Sequence, residues 1–253
     1  MKLYRLSLNT ILCKKTLFIY VVLLLVLPLL LPLLTPWEEK PSLLEPARAQ
    51  TAWSLLWFCG LVWLLLEGAN LGNQHFNNGI LQYFKTIGVG RIRQLLAITA
   101  SCLSGFSLLI MIALCVSLFG AMPGDSYEAK HWVILNFQYT FLFALVMIPL
   151  LFLAVSLGTR INNVVAYLIP CGIGLYGLVG VTYIDFFLAD SNNPLLDFIY
   201  AVSPHFHLAD LTNRLVFKMG SLSAETFGKL GLYLAGIALI FTAIAICTFR
   251  ETK

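Results

Sequence analysis

Six runs of apolar residues, at 16–34, 52–71, 95–122, 132–157, 164–189 and 230–249, are each long enough to cross a lipid bilayer as a helix. About 20 apolar residues span the ~30 Å hydrocarbon core. No water is available there, so such a run must satisfy its own backbone N–H and C=O groups within one helix. The expectation is an all-α, polytopic membrane protein with six transmembrane helices, forming a single transmembrane domain over 1–253. Composition agrees: charged residues make up 11% of the chain, against roughly 25% in a soluble domain. Almost nothing is left over to fold outside the bilayer. The net charge of +4 is too small and too dispersed to point to a nucleic-acid partner, and none is expected.

Lys14-Lys15 followed by an apolar run has the outline of a signal peptide, with "ARAQ" at 47–50 as its cleavage site. The apolar run is longer than an ordinary signal core, and the site lies well past its end. An uncleaved span is therefore expected, kinked in its outer half by Pro28 and Pro32.

Orientation follows from Lys and Arg. With the N-terminus inside, ten basic residues fall on the inner side: Lys2, Arg5, Lys14, Lys15, Lys85, Arg91, Arg93, Arg160, Arg250 and Lys253. Six fall on the outer side, which has the longer loops: Lys40, Arg48, Lys130, Arg214, Lys218 and Lys229. Both termini are expected to be cytoplasmic. In the N-terminal arm, Leu3, Leu6, Leu8, Ile11 and Leu12 fit one side of a helix and Arg5 and Asn9 another, which suits a helix lying in the headgroup layer. The outer side has two short loops and one long segment, 190–229. Within the latter, Ser203-Pro204 reads as an N-cap with proline at the first helical position. An amphipathic outer helix is predicted there, with Asp210–Arg214 as an i,i+4 pair, Gly220 as its stop and Ser223 as the cap of the last span.

Motifs that would carry chemistry are sparse. No segment matches a P-loop. "GIGLYG" at 172–177 has dinucleotide-loop spacing but sits inside a span, where glycines let helices approach closely. His205 and His207 point to different sides of a helix, and no carboxylate or cysteine completes a metal set. The six cysteines are read as small apolar residues, with no disulfide framework. Trp53, Trp57 and Trp63 belong to a packed span, with Trp37 and Trp132 near the interface. Glu67 and Asp185 are intramembrane acids. Each is a candidate pathway or interface charge, or one that simply reaches the headgroups.

The segment 77–93, "NNGILQYFKTIGVGRIR", interrupts two spans on the basic side. Asn77 or Asn78 caps a short helix. Ile80, Leu81, Phe84 and Ile87 form its apolar stripe, Gly88 ends it, and Arg91 and Arg93 mark the next boundary. On its residues alone this is either an ordinary interfacial helix or a surface offered to a cytoplasmic partner.

The whole layout resembles the membrane subunit of an ABC transporter of the ABC-2 type. Members of that family have an N-terminal interfacial helix, six spans, both termini inside, and a cytoplasmic loop after the second span. That loop typically carries acidic residues, Gly-Thr, a short hydrophobic helix and then Pro-x-x-Arg. Gly79-Ile80 falls at the Gly-Thr place and Gly88-Val89-Gly90-Arg91 at the Pro-x-x-Arg place, while His75, Phe76, Asn77 and Asn78 stand where the acids are usual. "SPHFHLADLTNRLV" at 203–216 resembles the family's outer stretch before the last span.

The resemblance implies a permease subunit in a bacterial inner membrane, paired with a second permease chain as a homodimer or heterodimer. Separate ABC ATPase subunits would bind the ATP, so this chain would be no enzyme and hold no cofactor or metal. Export is the commoner family habit. Gly79, Leu81, Phe84, Lys85 and Arg91 would make the ATPase contact. The alternative from another class is a non-transporting membrane scaffold or assembly subunit.

Overall fold

A computed structural model of the protein describes residues 2–30, 41–190 and 193–252. It is 85% helical and, among these residues, has no strand. Five helical stretches are long and apolar enough to cross a membrane: Pro46–Asn77, Arg91–Gly120, Ser126–Gly158, Asn163–Leu188 and Ala224–Thr248. These mark the chain as a multi-pass membrane protein.

The first expected span, 16–34, continues past Leu30 into residues outside the described ones. Among the described residues, helices α1 (Lys2–Leu12) and α2 (Lys15–Leu30) are bent by 62° at a short break and reach spanning length only together. At 1.5 Å per residue, the 16 residues of α2 measure about 24 Å. The chain bends at Cys13–Lys14, whereas Pro28 sits inside a helix that continues to Leu30. Pro32, Trp37 and the rest of 31–40 lie outside the described residues. α1 is also not a helix in contact with headgroups alone. Leu3, Ser7 and Ile11, one stripe at i, i+4 and i+8, are buried against protein. Tyr4 Oη lies 2.9 Å from Ser104 Oγ in the stretch Arg91–Gly120.

The second span comprises α3 (Pro41–Phe58), a π-helical segment Cys59–Leu64 and α4 (Leu65–Asn77). The stretch expected to be an outer loop is thus helical from Pro41, and the "ARAQ" segment lies within α3 with Ala49 buried. After α5 (Ile80–Thr86) come α6 (Arg91–Cys115), which ends in the π-helical Val116–Gly120, and the 33-residue α7 (Ser126–Gly158). α8 (Asn163–Leu175), a third π segment Tyr176–Gly180 and α9 (Val181–Asp190) form the next span. α10 (Pro194–Val202), a 3₁₀ turn Phe206–Ala209 and α11 (Thr212–Val216) precede α12 (Ala224–Thr248).

α7 is the central post, because α4 packs along it at backbone contact. A Cβ added at Gly72 would strike the Val155 carbonyl, and one at Gly158 the Ala69 carbonyl. Gly68 and Gly72 are four residues apart, so both face α7, the small-residue spacing that lets membrane helices meet closely. Lipid tails are as apolar as leucine, so association within a bilayer depends on this packing and on buried polar contacts. An aromatic row supplies more of the packing. Trp53 stacks on Tyr139 at 4.0 Å, Trp57 meets Phe143 edge-on at 4.7 Å, and Phe106 links Phe143 to Trp63. Asn136 is buried among them. It accepts from Trp53 Nε1 at 3.0 Å and from Ser117 at 2.6 Å while donating to the Trp132 carbonyl. Trp132, expected at the interface, is itself buried and donates to the Ser117 carbonyl. α12 contrasts with this core: 11% of its spanning window is buried, against 67% for α7, so most of its surface is left to lipid or another chain.

The outer helix expected from Ser203-Pro204 is broken into shorter pieces. Asn193 and Pro194 start α10, whereas Ser203 ends it as C-cap. The reason is Asp210. Its carboxylate accepts from the Thr212 backbone N–H at 3.0 Å and from the Tyr139 hydroxyl, which fixes a turn between the 3₁₀ segment and α11. Asp210 therefore does not pair with Arg214, whose guanidinium donates instead to the Gly220 and Met219 carbonyls. Gly220 adopts φ 76° after α11, and the Ser223 hydroxyl caps α12 by accepting from Thr226 N at 3.2 Å, as the sequence indicates.

Candidate functional site

The segment 77–93 folds without a side-chain cap. α4 runs through Asn77, and Gly79 at φ 72° turns the chain into α5. A residue with a Cβ would be strained there. At the other end Gly88 has φ 84°, with Val89 N donating to Phe84 O and Gly88 N to Lys85 O, both at 3.0 Å. These two bonds are a Schellman motif, and Val89, partly buried, packs against the core. Seven residues would not hold a helix alone in water, so the cap and packing must hold it.

That packing divides the expected apolar stripe. Leu81 is 0% and Phe84 8% exposed, so both anchor α5 to the bundle. Tyr83 and Ile87 are 62% and 53% exposed, with Gln82, Lys85 and Thr86 beside them. Leu81 and Phe84 face inward and attach α5 to the bundle, and Tyr83 and Ile87 form its exposed apolar face.

Three segments converge at this end of the bundle. Arg91 donates to the Cys247 carbonyl at 2.9 Å, and the Arg160 guanidinium donates to the Thr248 carbonyl. Both cations thus meet the unpaired carbonyls of the last turn of α12, where the helix dipole is negative. Arg250 N donates to Thr159 Oγ1 at 2.9 Å, and its guanidinium lies 5.6 Å from the centre of the Phe76 ring. Lys85 Nζ is 3.6 Å from Glu251. Nothing in the linear order of the sequence marks the C-terminal residues as part of this site. Gly79, Leu81, Phe84, Lys85 and Arg91 lie at this end of the bundle; Lys85, its side chain 53% exposed, reaches Glu251, and Arg91, the first residue of α6, donates to the last turn of α12.

The two intramembrane acids differ. Glu67 is 5% exposed and forms an ion pair with Lys14 at the α1–α2 bend. Further along α4, Ser7 Oγ lies 2.8 Å from His75 Nε2. These contacts fasten the bent N-terminal pair to α4. Asp185 is exposed near the end of its span and interacts with Tyr200 of α10. Burial and then the Asp185 charge raise the Tyr200 hydroxyl above its usual range. At the same end, burial and then the neighbouring His205 lower His207. No group of three His, Cys, Asp or Glu residues able to hold a metal occurs among the described residues.

Compared with models of protein families, with curated proteins and with solved structures, the chain matches none.

Proposed function

We propose that this chain is the membrane subunit of an ATP-driven transporter of the ABC-2 type, with six membrane crossings and both termini in the cytoplasm. In this reading α1 and α2 together make the first crossing. The end of the bundle holding α5, residues 158–163 and the C-terminus faces the cytoplasm of a bacterial cell. Separate ATPase subunits bind α5, and a second permease chain completes the pathway. The observation that carries the proposal is the construction of α5. It is a short helix closed at both ends by positive-φ glycines and rooted by Leu81 and Phe84, with Lys85 3.6 Å from Glu251 and the following helix, α6, held by Arg91 to the last turn of α12. A push on such an element is passed to two long helices, as a ligand-biased two-state device requires. The free face, Tyr83 and Ile87, is where the ATPase would seat.

The test is affinity purification in mild detergent with mass spectrometry of the partners. An ABC ATPase is expected to co-purify, and Tyr83→Asp or Ile87→Asp is expected to release it while the permease stays folded. Absence of any ATPase overturns the reading. So does labelling of a cysteine at position 83 by an impermeant reagent from outside intact cells.

A further inference from the structure

Residues 249–252 leave the helical path after α12, yet they are packed. Phe249 is 1% exposed and belongs to the core, and Glu251 and Thr252 are half-buried. Three consecutive residues touch three other parts of the bundle. Phe249 anchors the stretch. The Arg250 backbone N–H donates to Thr159, the buried C-cap of α7, while its guanidinium covers the Phe76 ring of α4. Glu251 then meets Lys85 of α5. That pair is unlike an exposed one, because the Lys85 side chain is 53% exposed and the Glu251 side chain 11%. Two fully hydrated charges gain almost nothing by meeting. A carboxylate withdrawn from water is destabilised unless a cation stays beside it. Phe249 and Thr159 fix the backbone around it, so Glu251 is held at α5 and does not swing away.

α5 has need of such a restraint. It is seven residues long and buries two side chains, Leu81 and Phe84. A Cβ built at Gly79 or Gly88 meets nothing within 4 Å, so packing does not fix the joints at its ends. A short helix between two unpacked joints changes its angle easily unless a third contact holds it. We infer that residues 249–251 are a latch that sets the position of α5 against α4 and α7. With the latch closed, Tyr83 and Ile87 are exposed. The latch therefore presents that face ready for a partner and does not cover it, which lowers the ordering cost of binding. The inference deepens the reading of α5 as the ATPase seat and rests on it for its meaning, but the position of α5 can be measured with no partner present.

The experiment is hydrogen exchange of the full chain in detergent, read by mass spectrometry over peptides covering 80–89. Glu251→Lys and Lys85→Glu each bring like charges together. Each should speed exchange in those peptides about fivefold, with peptides of α7 unchanged. Lys85→Glu combined with Glu251→Lys restores opposite charges and should return the rate to within about twofold of the wild type. Unchanged exchange in both single variants, equal acceleration in α7, or a double variant no slower than the singles would each overturn the latch. The ATPase retained by the wild type should be retained about fivefold less by Glu251→Lys, and full retention would overturn the presenting role. Absence of any ATPase counts against the transporter reading alone, because the exchange rates decide the latch without it.

Discussion

Removing Lys14 should damage this protein more than removing its partner, because the two ends of the Lys14–Glu67 pair differ in burial. The Glu67 side chain is 7% exposed and that of Lys14 28%. Lys14→Met strands a carboxylate in the interior. Breaking a buried pair this way costs about 3–5 kcal/mol, and the partial exposure of Lys14 argues for about 3. Glu67→Gln leaves an ammonium on a flexible stem that can turn toward the headgroups, at about 1–2 kcal/mol. The double change Lys14→Met with Glu67→Leu replaces the pair with apolar groups and should fall within about 1 kcal/mol of the wild type. With Glu67→Leu alone costing about as much as Glu67→Gln, the singles sum to about 4–5 kcal/mol and the coupling between the sites is about 3–5 kcal/mol. The assay is thermal unfolding in one detergent, followed by tryptophan fluorescence. For a chain of this size about 2–4 °C accompanies each kcal/mol, so Lys14→Met should lower Tm by about 6–12 °C. If Glu67→Gln proves the more damaging single change, or the double change is as damaging as the sum of the singles, the pair does not fasten α1 and α2 to the bundle.

Gly72→Ala should destabilise by about 1–2 kcal/mol despite gaining about 1 in helix propensity, because its Cβ meets the Val155 backbone and no rotamer change relieves it. Gly172→Ala, where nothing lies within 4 Å, should be neutral or stabilising in the same melts. Tyr139→Phe removes the hydroxyl to which Trp57 Nε1 donates at 2.9 Å and which donates to Asp210, and should cost about 1–3 kcal/mol by thermal unfolding. His207 is held below its ordinary titration range, so the native state binds fewer protons than the unfolded state once pH falls to about 6.5 and below. Stability should therefore decrease with falling pH there. His207→Gln should flatten part of that decrease in melts taken from pH 7 to pH 5.

Much of the architecture was legible from residue order. The long apolar runs had to become helices because nothing else satisfies the backbone in lipid. Their ends move by a few residues because apolar content does not mark where hydrogen bonding stops. Gly79, Gly88, Gly220 and Ser223 act where their backbone and capping chemistry places them. The spacing of Gly68 and Gly72 was also available in the sequence as a contact signal. Asp210 shows the limit. Its neighbours argue for a local pair with Arg214, but a buried tyrosine hydroxyl 71 residues away engages its carboxylate, and the helix breaks accordingly.

The sequence by itself thus determined that the chain is helical and membrane-embedded, and that a short helix ended by Gly88 interrupts it within 77–93. Only the tertiary structure decided which side of that helix is free, because helical periodicity places residues on a face without saying what the face meets. It likewise decided that Lys85 and Arg91 bind the chain's own C-terminal end. The physical reason is that carbonyls at a helix terminus and a distant carboxylate become the nearest partners of a cation only after the helices have packed.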